Sequence, residues 1–162
     1  MAKQDSARSI NSDGSRGRLD EKTFVARLTS LLKENDALFS CSHAGHEFNY
    51  GSGRVDILVH SSKGDLIAFE AKLTKWRDAL HQAYRARSFA HFAYVIMPMK
   101  AARVAMRNSR EFEIRGVGLC AIDNGPLSIE IPAERHEPLL PWLTQAAITT
   151  LVNGGRVRNA SA

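Results

Sequence analysis

Two short stretches decide the fold of this chain: VDILV at residues 55–59 and LIAFEAK at residues 66–72. Each stretch is typical of a buried β-strand, because its apolar residues follow one another almost without interruption. Asp56, Glu70 and Lys72 interrupt the two runs with charge. A buried charge without a partner is costly, so these side chains require compensation from something that they bind.

The segment between the two stretches predicts a hairpin. Residues 61–65 (SSKGD) include Gly64, which can supply the positive φ that a turn requires. Side chains alternate along a strand, so Glu70 and Lys72 share one face, and Asp56 can lie close to that face. Two converging carboxylates, with a backbone carbonyl and water, form the oxygen-rich site that Mg²⁺ or Mn²⁺ prefers. The charges therefore predict metal-assisted phosphodiester hydrolysis, with Lys72 orienting the water or stabilising the transition state.

The rest of the chain predicts an α/β domain. Strands are expected at residues 46–50, 54–60, 66–72, 92–97, 116–123 and 127–131, and helices from about 20 to 35 and at 74–89, 100–112 and 138–151. This order implies a mixed central β-sheet flanked by helices. We expect residues 1–18 to be a disordered basic N-terminal arm, residues 19–152 to form one domain, and residues 153–162 to be a flexible basic tail.

Composition limits the class of protein and its compartment. The chain has 162 residues, 44% of them hydrophobic, which suits one domain with its own core. No apolar run approaches the ~20 residues that span a bilayer, and the N-terminus has no apolar segment of the secretory type. Cys41 and Cys120 lack a metal-type or redox-type spacing. These features predict a cytoplasmic protein in a reducing environment.

The net charge of +5 is distributed unevenly. Residues 1–18 and 150–162 each carry +2, so the body of the chain has little excess charge. Within the body, however, residues 72–110 contain nine basic side chains against Asp78 alone. Such a local excess favours the binding of a polyanion such as nucleic acid. The alternative is a solvated helical face balanced by acids elsewhere in the fold.

The charged residues also resemble a known family. Asp56, then a hairpin, the triplet EAK at residues 70–72 and a helix containing Gln82 resemble the PD-(D/E)XK nucleases of the restriction-endonuclease-like fold. The strand GVGL at residues 116–119, followed by Asp123, also resembles uncharacterised bacterial members of this group. The similarity covers about residues 19–125 and implies an αβββαβ core. One departure is Val55, which stands where the family motif has proline, although many members lack that proline.

The resemblance implies roles for the charged residues of the two stretches. Asp56, Glu70 and the Ala71 carbonyl would bind Mg²⁺, or Mn²⁺, and Lys72 would be the catalytic lysine. Family members cut DNA, less often RNA, so a DNA endonuclease is expected. Duplex-cutting enzymes of this fold often act as dimers, so a homodimer or a partner protein is also an open expectation.

Further roles follow from the same resemblance. Glu21 on the first helix would complete or orient the water shell of the metal, with Asp20 and Glu34 as the other acids on or near that helix. Gln82 would contact the scissile phosphate or a metal-bound water. Four basic residues after the motif are expected to contact phosphates: Lys75, Arg77, Arg85 and Arg87. Arg87 shares a helical face with buried positions, so a structural role is its alternative.

Other interpretations remain open. The fold could carry a non-catalytic nucleic-acid-binding module, or an interaction subunit with an exposed apolar patch on residues 139–151. Four residues resemble a loose zinc set without a second ligand pair, which favours ordinary loop and strand roles: Cys41, His43, His46 and Glu47. Trp76 and Tyr84 are expected in the core rather than as platforms for base stacking.

Overall fold

The computed structural model describes residues 19–34 and 38–154. The predicted arm (1–18), the predicted end of the first helix near residue 35 and most of the predicted tail (155–162) lie outside these ranges. The elements are α1 (Glu21–Glu34), β1 (Cys41–Asn49), β2 (Arg54–Ser61), β3 (Leu66–Ala71), α2 (Trp76–Ala86), β4 (Phe92–Pro98), α3 (Met99–Met106), α4 (Ser109–Arg115), β5 (Gly118–Ile122), β6 (Ser128–Ile131) and α5 (Pro141–Val152). None of the helices in the described ranges is long and apolar enough to cross a membrane.

The six strands form one mixed sheet in the order β1-β2-β3-β4-β5-β6. β1, β2 and β3 are antiparallel neighbours, β3, β4 and β5 are parallel, and β6 pairs antiparallel with β5. Parallel neighbours need crossover connections, which α2 and the α3–α4 pair supply. The predicted mixed sheet flanked by helices is confirmed, and the first six elements have the αβββαβ order that the resemblance implies.

Helices cover both faces of the sheet, and strand alternation assigns the two cores. Phe69 of β3 packs in the core that includes Phe24 and Leu28 of α1. Its neighbour Ala68 packs in the core that includes Leu143 of α5. Successive residues of a strand point to opposite faces, so α1 and α5 lie on opposite sides of the sheet. All six residues of β3 are buried, which explains its nearly continuous apolar sequence.

Local signals in the sequence fix two of the element boundaries. The backbone N–H of Thr23 donates to Asp20 Oδ1 at 2.7 Å, so Asp20 caps the N-terminus of α1. This hydrogen bond lowers the pKa of the Asp20 carboxyl. In the turn between β2 and β3, Gly64 has φ +90°, the left-handed conformation that glycine adopts at no steric cost.

Two predictions about helices are wrong. The helix expected at residues 100–112 is divided into α3 and α4 at Asn108, whose φ is −119° and ψ is 34°. Its side-chain amide donates to the Val104 carbonyl at 3.4 Å, and such local bonding by asparagine competes with the backbone hydrogen bonds of the helix.

The second correction concerns Tyr84, which the sequence predicts in the core with Trp76, but whose side chain is 50% exposed. Eight residues along a helix rotate the side chain by about 80°, which carries Tyr84 away from the buried face.

Candidate active site

The β2–β3 hairpin brings the two predicted carboxylates together. Its register pairs Ile57 with Phe69, so the next pair along the hairpin places Asp56 opposite Glu70. The backbone N–H of Ala71 donates to Asp56 Oδ2 at 2.9 Å, which fixes the orientation of that carboxylate. Cross-strand neighbours share a face of the sheet, so the convergence expected from strand alternation is present.

Glu70 is buried in an environment that opposes its ionisation. Its side chain is 2% exposed, and its Oε1 atom has no hydrogen-bond partner among the described residues. Burial, together with the charge of neighbouring Asp56, raises the pKa of Glu70 to about 9. In the absence of a cation, Glu70 therefore keeps its proton at neutral pH, and a bound cation would favour the ionised carboxylate.

A second unsatisfied oxygen lies close to the carboxylates. Gln82 of α2 also has a buried Oε1 atom without a hydrogen-bond partner among the described residues. Among the described residues, one further buried side-chain atom lacks a hydrogen-bond partner, His60 Nδ1. It lies at the end of β2 next to the turn, away from the carboxylates. Buried polar atoms are normally paired, so two unpaired oxygens at one place indicate a site for a ligand.

These side chains line a single cavity of about 580 Å³, which we call the carboxylate cavity. It is lined by Glu21, Asp56, Glu70, Ala71, Lys72 and Gln82, which are all of the predicted catalytic and metal-binding residues, and also by Arg85. The cavity lies where the first turn of α1, the ends of β2 and β3, and the middle of α2 meet. Residues far apart in sequence therefore converge because the αβββαβ topology brings their elements to one end of the hairpin.

Lys72 is held at the cavity by an ion pair. Its Nζ atom donates to Glu21 Oε2 at 3.0 Å, and both side chains are partly exposed. Glu21 occupies the first turn of α1, where a carboxylate also interacts favourably with the helix dipole. The pair therefore links α1 to the end of β3 and holds the Lys72 side chain at the wall of the cavity that Asp56 and Glu70 also line.

The oxygen atoms of the carboxylate cavity fit a hard divalent cation. Two carboxylates and the carbonyl oxygen of Ala71 are ligands of the type that Mg²⁺ and Mn²⁺ prefer. The Oε1 atom of Glu70 supports this fit, because it has no hydrogen-bond partner among the described residues and a cation would supply one. Within the described ranges, no group of three or more His, Cys, Asp or Glu side chains is arranged to hold a metal. The fit therefore rests on two carboxylates supplemented by main-chain oxygen and water.

The four basic residues predicted to bind phosphates have different surroundings. Arg85 lines the carboxylate cavity, and Lys75 lines an adjoining cleft. Arg77 lies over the Trp76 ring at 4.1 Å and pairs with Glu111 Oε1 at 3.5 Å. Arg87 donates to the Arg115 carbonyl and to His136 Nδ1, the latter at 3.3 Å. The structure thus brings Lys75 and Arg85 to the cavity region and engages Arg77 and Arg87 in contacts within the protein.

Seven residues that the predictions did not assign to this site also line the carboxylate cavity, among them His46, Glu47 and Arg54. Arg54 lies two residues before Asp56 on β2, so the two-residue period of a strand was a signal for it. Glu47 has φ +61°, which is uncommon for a residue with a side chain. The register pairs His46 with Ile57 and Phe48 with Val55, so Glu47 lies opposite Asp56 and shares its face of the sheet. His46 lines the cavity as well, an outcome that no sequence pattern indicated. Cys41 and His43 of the loose zinc set do not line it.

Comparisons with known proteins inform the fold. No family model and no curated protein matches the chain. Among solved structures, the chain is similar to the SPO1766 protein of unknown function from Silicibacter pomeroyi, with a TM-score of 0.62 and 16% identity over 84% of this chain and 86% of that one. At this identity the similarity shows the fold alone.

Two further similarities to solved structures are weaker. One is to a repair endonuclease from Pyrococcus abyssi, with a TM-score of 0.46 and 17% identity over 62% of this chain and 47% of that one. The other is to SfsA from Pyrococcus furiosus in complex with Ca²⁺, with a TM-score of 0.37 and 13% identity over 72% of this chain and 62% of that one. At these TM-scores neither similarity bears on what this chain does.

Proposed function

We propose that the protein is a Mg²⁺-dependent phosphodiesterase that cleaves nucleic acid, acting on DNA as an endonuclease. The observation that carries the proposal is the surroundings of Glu70. Its carboxyl group is buried opposite Asp56, has an oxygen without a partner among the described residues, and lines the same cavity as Lys72. A fold built only for stability would pair or replace such a group, because a buried carboxyl oxygen without a hydrogen-bond partner is costly.

The metal site consists of Asp56, Glu70 and the carbonyl oxygen of Ala71. When bound, Mg²⁺ or Mn²⁺ polarises a phosphoryl oxygen and lowers the pKa of a coordinated water. The Ala71 N–H hydrogen bond holds Asp56 in one orientation, so one ligand is positioned before the cation arrives. Pre-positioned ligands reduce the reorganisation that binding requires.

Lys72 and Gln82 act on the phosphate and the attacking water. The Lys72 ammonium, held by Glu21, stabilises the negative charge that develops on the phosphate in the transition state. Gln82 Oε1 has no competing partner among the described residues, so it is available to accept a hydrogen bond from water and to orient it. Glu21 acts through Lys72 and is a positioning residue.

The basic surface supplies affinity for the nucleic-acid backbone. Of the nine basic residues between 72 and 110, Lys72 and Arg77 are the two that form ion pairs within the described ranges. Arg85 and Lys75 lie beside the cavity, where they are placed to neutralise phosphates that flank the scissile bond. Binding should therefore weaken as salt concentration rises.

Plasmid cleavage tests the proposal. Wild-type protein should nick supercoiled DNA with Mg²⁺ or Mn²⁺ and not in EDTA, and Lys72→Ala should reduce the rate at least ~100-fold because it removes transition-state charge stabilisation. Asp56→Ala and Glu70→Ala should have the same effect without unfolding the protein. Lys63→Ala is the matched control, since Lys63 is an exposed lysine at the turn end of the same hairpin. A Lys72→Ala variant that cleaves at the wild-type rate would contradict the mechanism.

The alternatives make different predictions in the same assay. Salt-sensitive DNA binding in EDTA, with no cleavage under any metal condition, would identify a non-catalytic nucleic-acid-binding module. Neither cleavage nor binding would favour an interaction subunit. The exposed side chains of Leu139 and Trp142, at the start of α5, are the observation that favours that last alternative.

A further inference from the structure

The carboxylate cavity continues into a second opening along α2, of about 800 Å³, which we call the α2 cleft. The two openings share Glu21, Lys72, Gln82 and Arg85. A molecule bound at the carboxylates can therefore extend into the α2 cleft without leaving the protein surface. The α2 cleft adds Tyr84 and His81 of α2 to its walls.

Tyr84 is the exposed aromatic side chain of this region. It is 50% exposed, and its side chain makes no hydrogen bond or ring contact with another described residue. It also lines a smaller opening of about 360 Å³, together with Ser88 and His136. Tyr84 therefore belongs to the walls of two openings, and its half-exposed ring has apolar surface in contact with water, which suits contact with a flat ligand.

The surroundings of Tyr84 form a short polar track. His81, Tyr84 and Arg85 are spaced at i, i+3 and i+4, so they share one face of α2, and Ser88 lies in the turn that follows the helix. The α2 cleft also contains the cations Lys75 and Arg115. Cations for the phosphates and one aromatic ring for a base are what single-stranded nucleic-acid sites combine.

We propose that Tyr84 stacks on an unpaired base beside the nucleotide whose phosphate enters the carboxylate cavity, so that the preferred substrate is single-stranded nucleic acid or the single-stranded part of a larger structure. This inference rests on the proposed nuclease function and names its substrate class. In a duplex, both faces of each base are covered by neighbouring bases, so the Tyr84 ring has no base face to contact. A stacking platform next to the reacting centre therefore selects an unpaired strand.

Binding measurements in EDTA test the inference without cleavage. Fluorescence anisotropy with a labelled ten-nucleotide single strand should show that Tyr84→Ala weakens binding by about 5- to 150-fold, the range measured for loss of one base–aromatic stack. Tyr84→Phe should bind within about twofold of wild type, because the ring is kept. Trp142→Ala is the control, since Trp142 is an exposed aromatic that lines neither opening beside Tyr84.

Abasic substitution identifies the contacted base. Removing one base at a time from the single strand should weaken wild-type binding at one or two positions, and the same substitutions should have no further effect on Tyr84→Ala. Binding of DNA and RNA strands of equal sequence is compared to determine whether the protein prefers deoxyribose or ribose. A blunt duplex of equal length should bind wild type and Tyr84→Ala equally.

The outcomes separate this inference from the proposed function. If Tyr84→Ala weakens the binding of duplex and single strand equally, or weakens the binding of neither, the inference is wrong. This holds even when Lys72→Ala loses Mg²⁺-dependent cleavage. If the strand binds through Tyr84 but no metal supports cleavage, the stacking site stands and the nuclease proposal fails. If wild type binds no nucleic acid at low salt, both are overturned.

Discussion

Thr144 of α5 and Glu70 of β3 are both buried, with exposures of 7% and 2%, but their hydrogen bonding differs. Thr144 Oγ1 donates to the Phe89 carbonyl at 2.6 Å and so ties α5 to the chain that follows α2. Glu70 Oε1 has no partner among the described residues. The first polar group is paired as a structural contact requires, and the second is left open at the cost of stability.

The other two buried polar side chains, those of Thr29 and Ser61, are hydrogen-bonded as Thr144 is. Thr29 Oγ1 donates to the Val25 carbonyl at 2.8 Å, and Ser61 Oγ accepts the Asp65 N–H at 3.1 Å. Within the described part of the chain, Glu70 is thus the exception among four buried polar side chains. An exception beside a second carboxylate and a lysine favours the proposed binding site over a structural contact.

The largest expected effect on stability is that substitutions at Thr144 and at Glu70 change the free energy of unfolding in opposite directions. Thr144→Val removes the donor to Phe89 and should lower the free energy of unfolding by about 1–3 kcal/mol. Glu70→Gln removes the titratable carboxyl beside Asp56 and should raise the free energy of unfolding in EDTA, because the folded state no longer has to take up a proton at pH 8. Urea denaturation at pH 8 measures both changes. A destabilised Glu70→Gln protein would mean that the carboxyl is a structural contact.

The pH dependence of stability sharpens the same comparison. The pKa of Glu70 is about 9 in the folded protein and near 4.5 in the unfolded chain, so between these values the folded state holds a proton that the unfolded state releases. The contribution of Glu70 to the free energy of unfolding is therefore fully present below pH 4.5. It decreases as the pH rises towards 9, by at most ~1.4 kcal/mol per pH unit. The Glu70→Gln protein should lack this slope, whereas Thr144→Val should keep it.

The sequence was sufficient to predict the carboxylate region because strand periodicity determines it. Asp56 and Glu70 interrupt apolar runs, a hairpin with Gly64 joins those runs, and alternation then requires the two side chains to share a face. The αβββαβ order also followed from local patterns. Two features could not be predicted from local patterns: the β1–β2 register that places Glu47 opposite Asp56, and the break of the helix at Asn108.

The exposure of Tyr84 shows a different limit of prediction. Helical periodicity places it near the buried stripe of Trp76, Leu80 and Ala83, but its side chain is half exposed. A rotation of about 80° from Trp76 is enough to cross the boundary of that stripe. The amphipathic pattern identifies the centre of a buried face reliably and its edges poorly, and the candidate substrate contacts lie at the edge.

Divalent cations should stabilise the carboxylate region and leave the Thr144 region unaffected. At a Mg²⁺ concentration 100 times the dissociation constant, the free energy of unfolding should rise by about 2.7 kcal/mol, because the cation binds the folded state. Thermal unfolding with and without Mg²⁺ measures this gain. Asp56→Asn and Glu70→Gln should lose it, and Thr144→Val should keep it from a lower starting stability. Equal stabilisation of all four proteins would place the cation elsewhere.

The smallest expected effect on stability concerns Glu21, and it separates positioning from folding. Its ion pair with Lys72 is partly exposed, so Glu21→Gln should change the free energy of unfolding by less than ~1 kcal/mol. Cleavage should nevertheless fall by about 10- to 100-fold, since the ammonium loses the contact that directs it into the cavity. Glu34→Gln, at the other end of α1, is the matched control and should cleave normally. If Glu21→Gln also cleaves normally, Lys72 is positioned by the end of β3 alone, and the ion pair belongs with Thr144 as a structural contact.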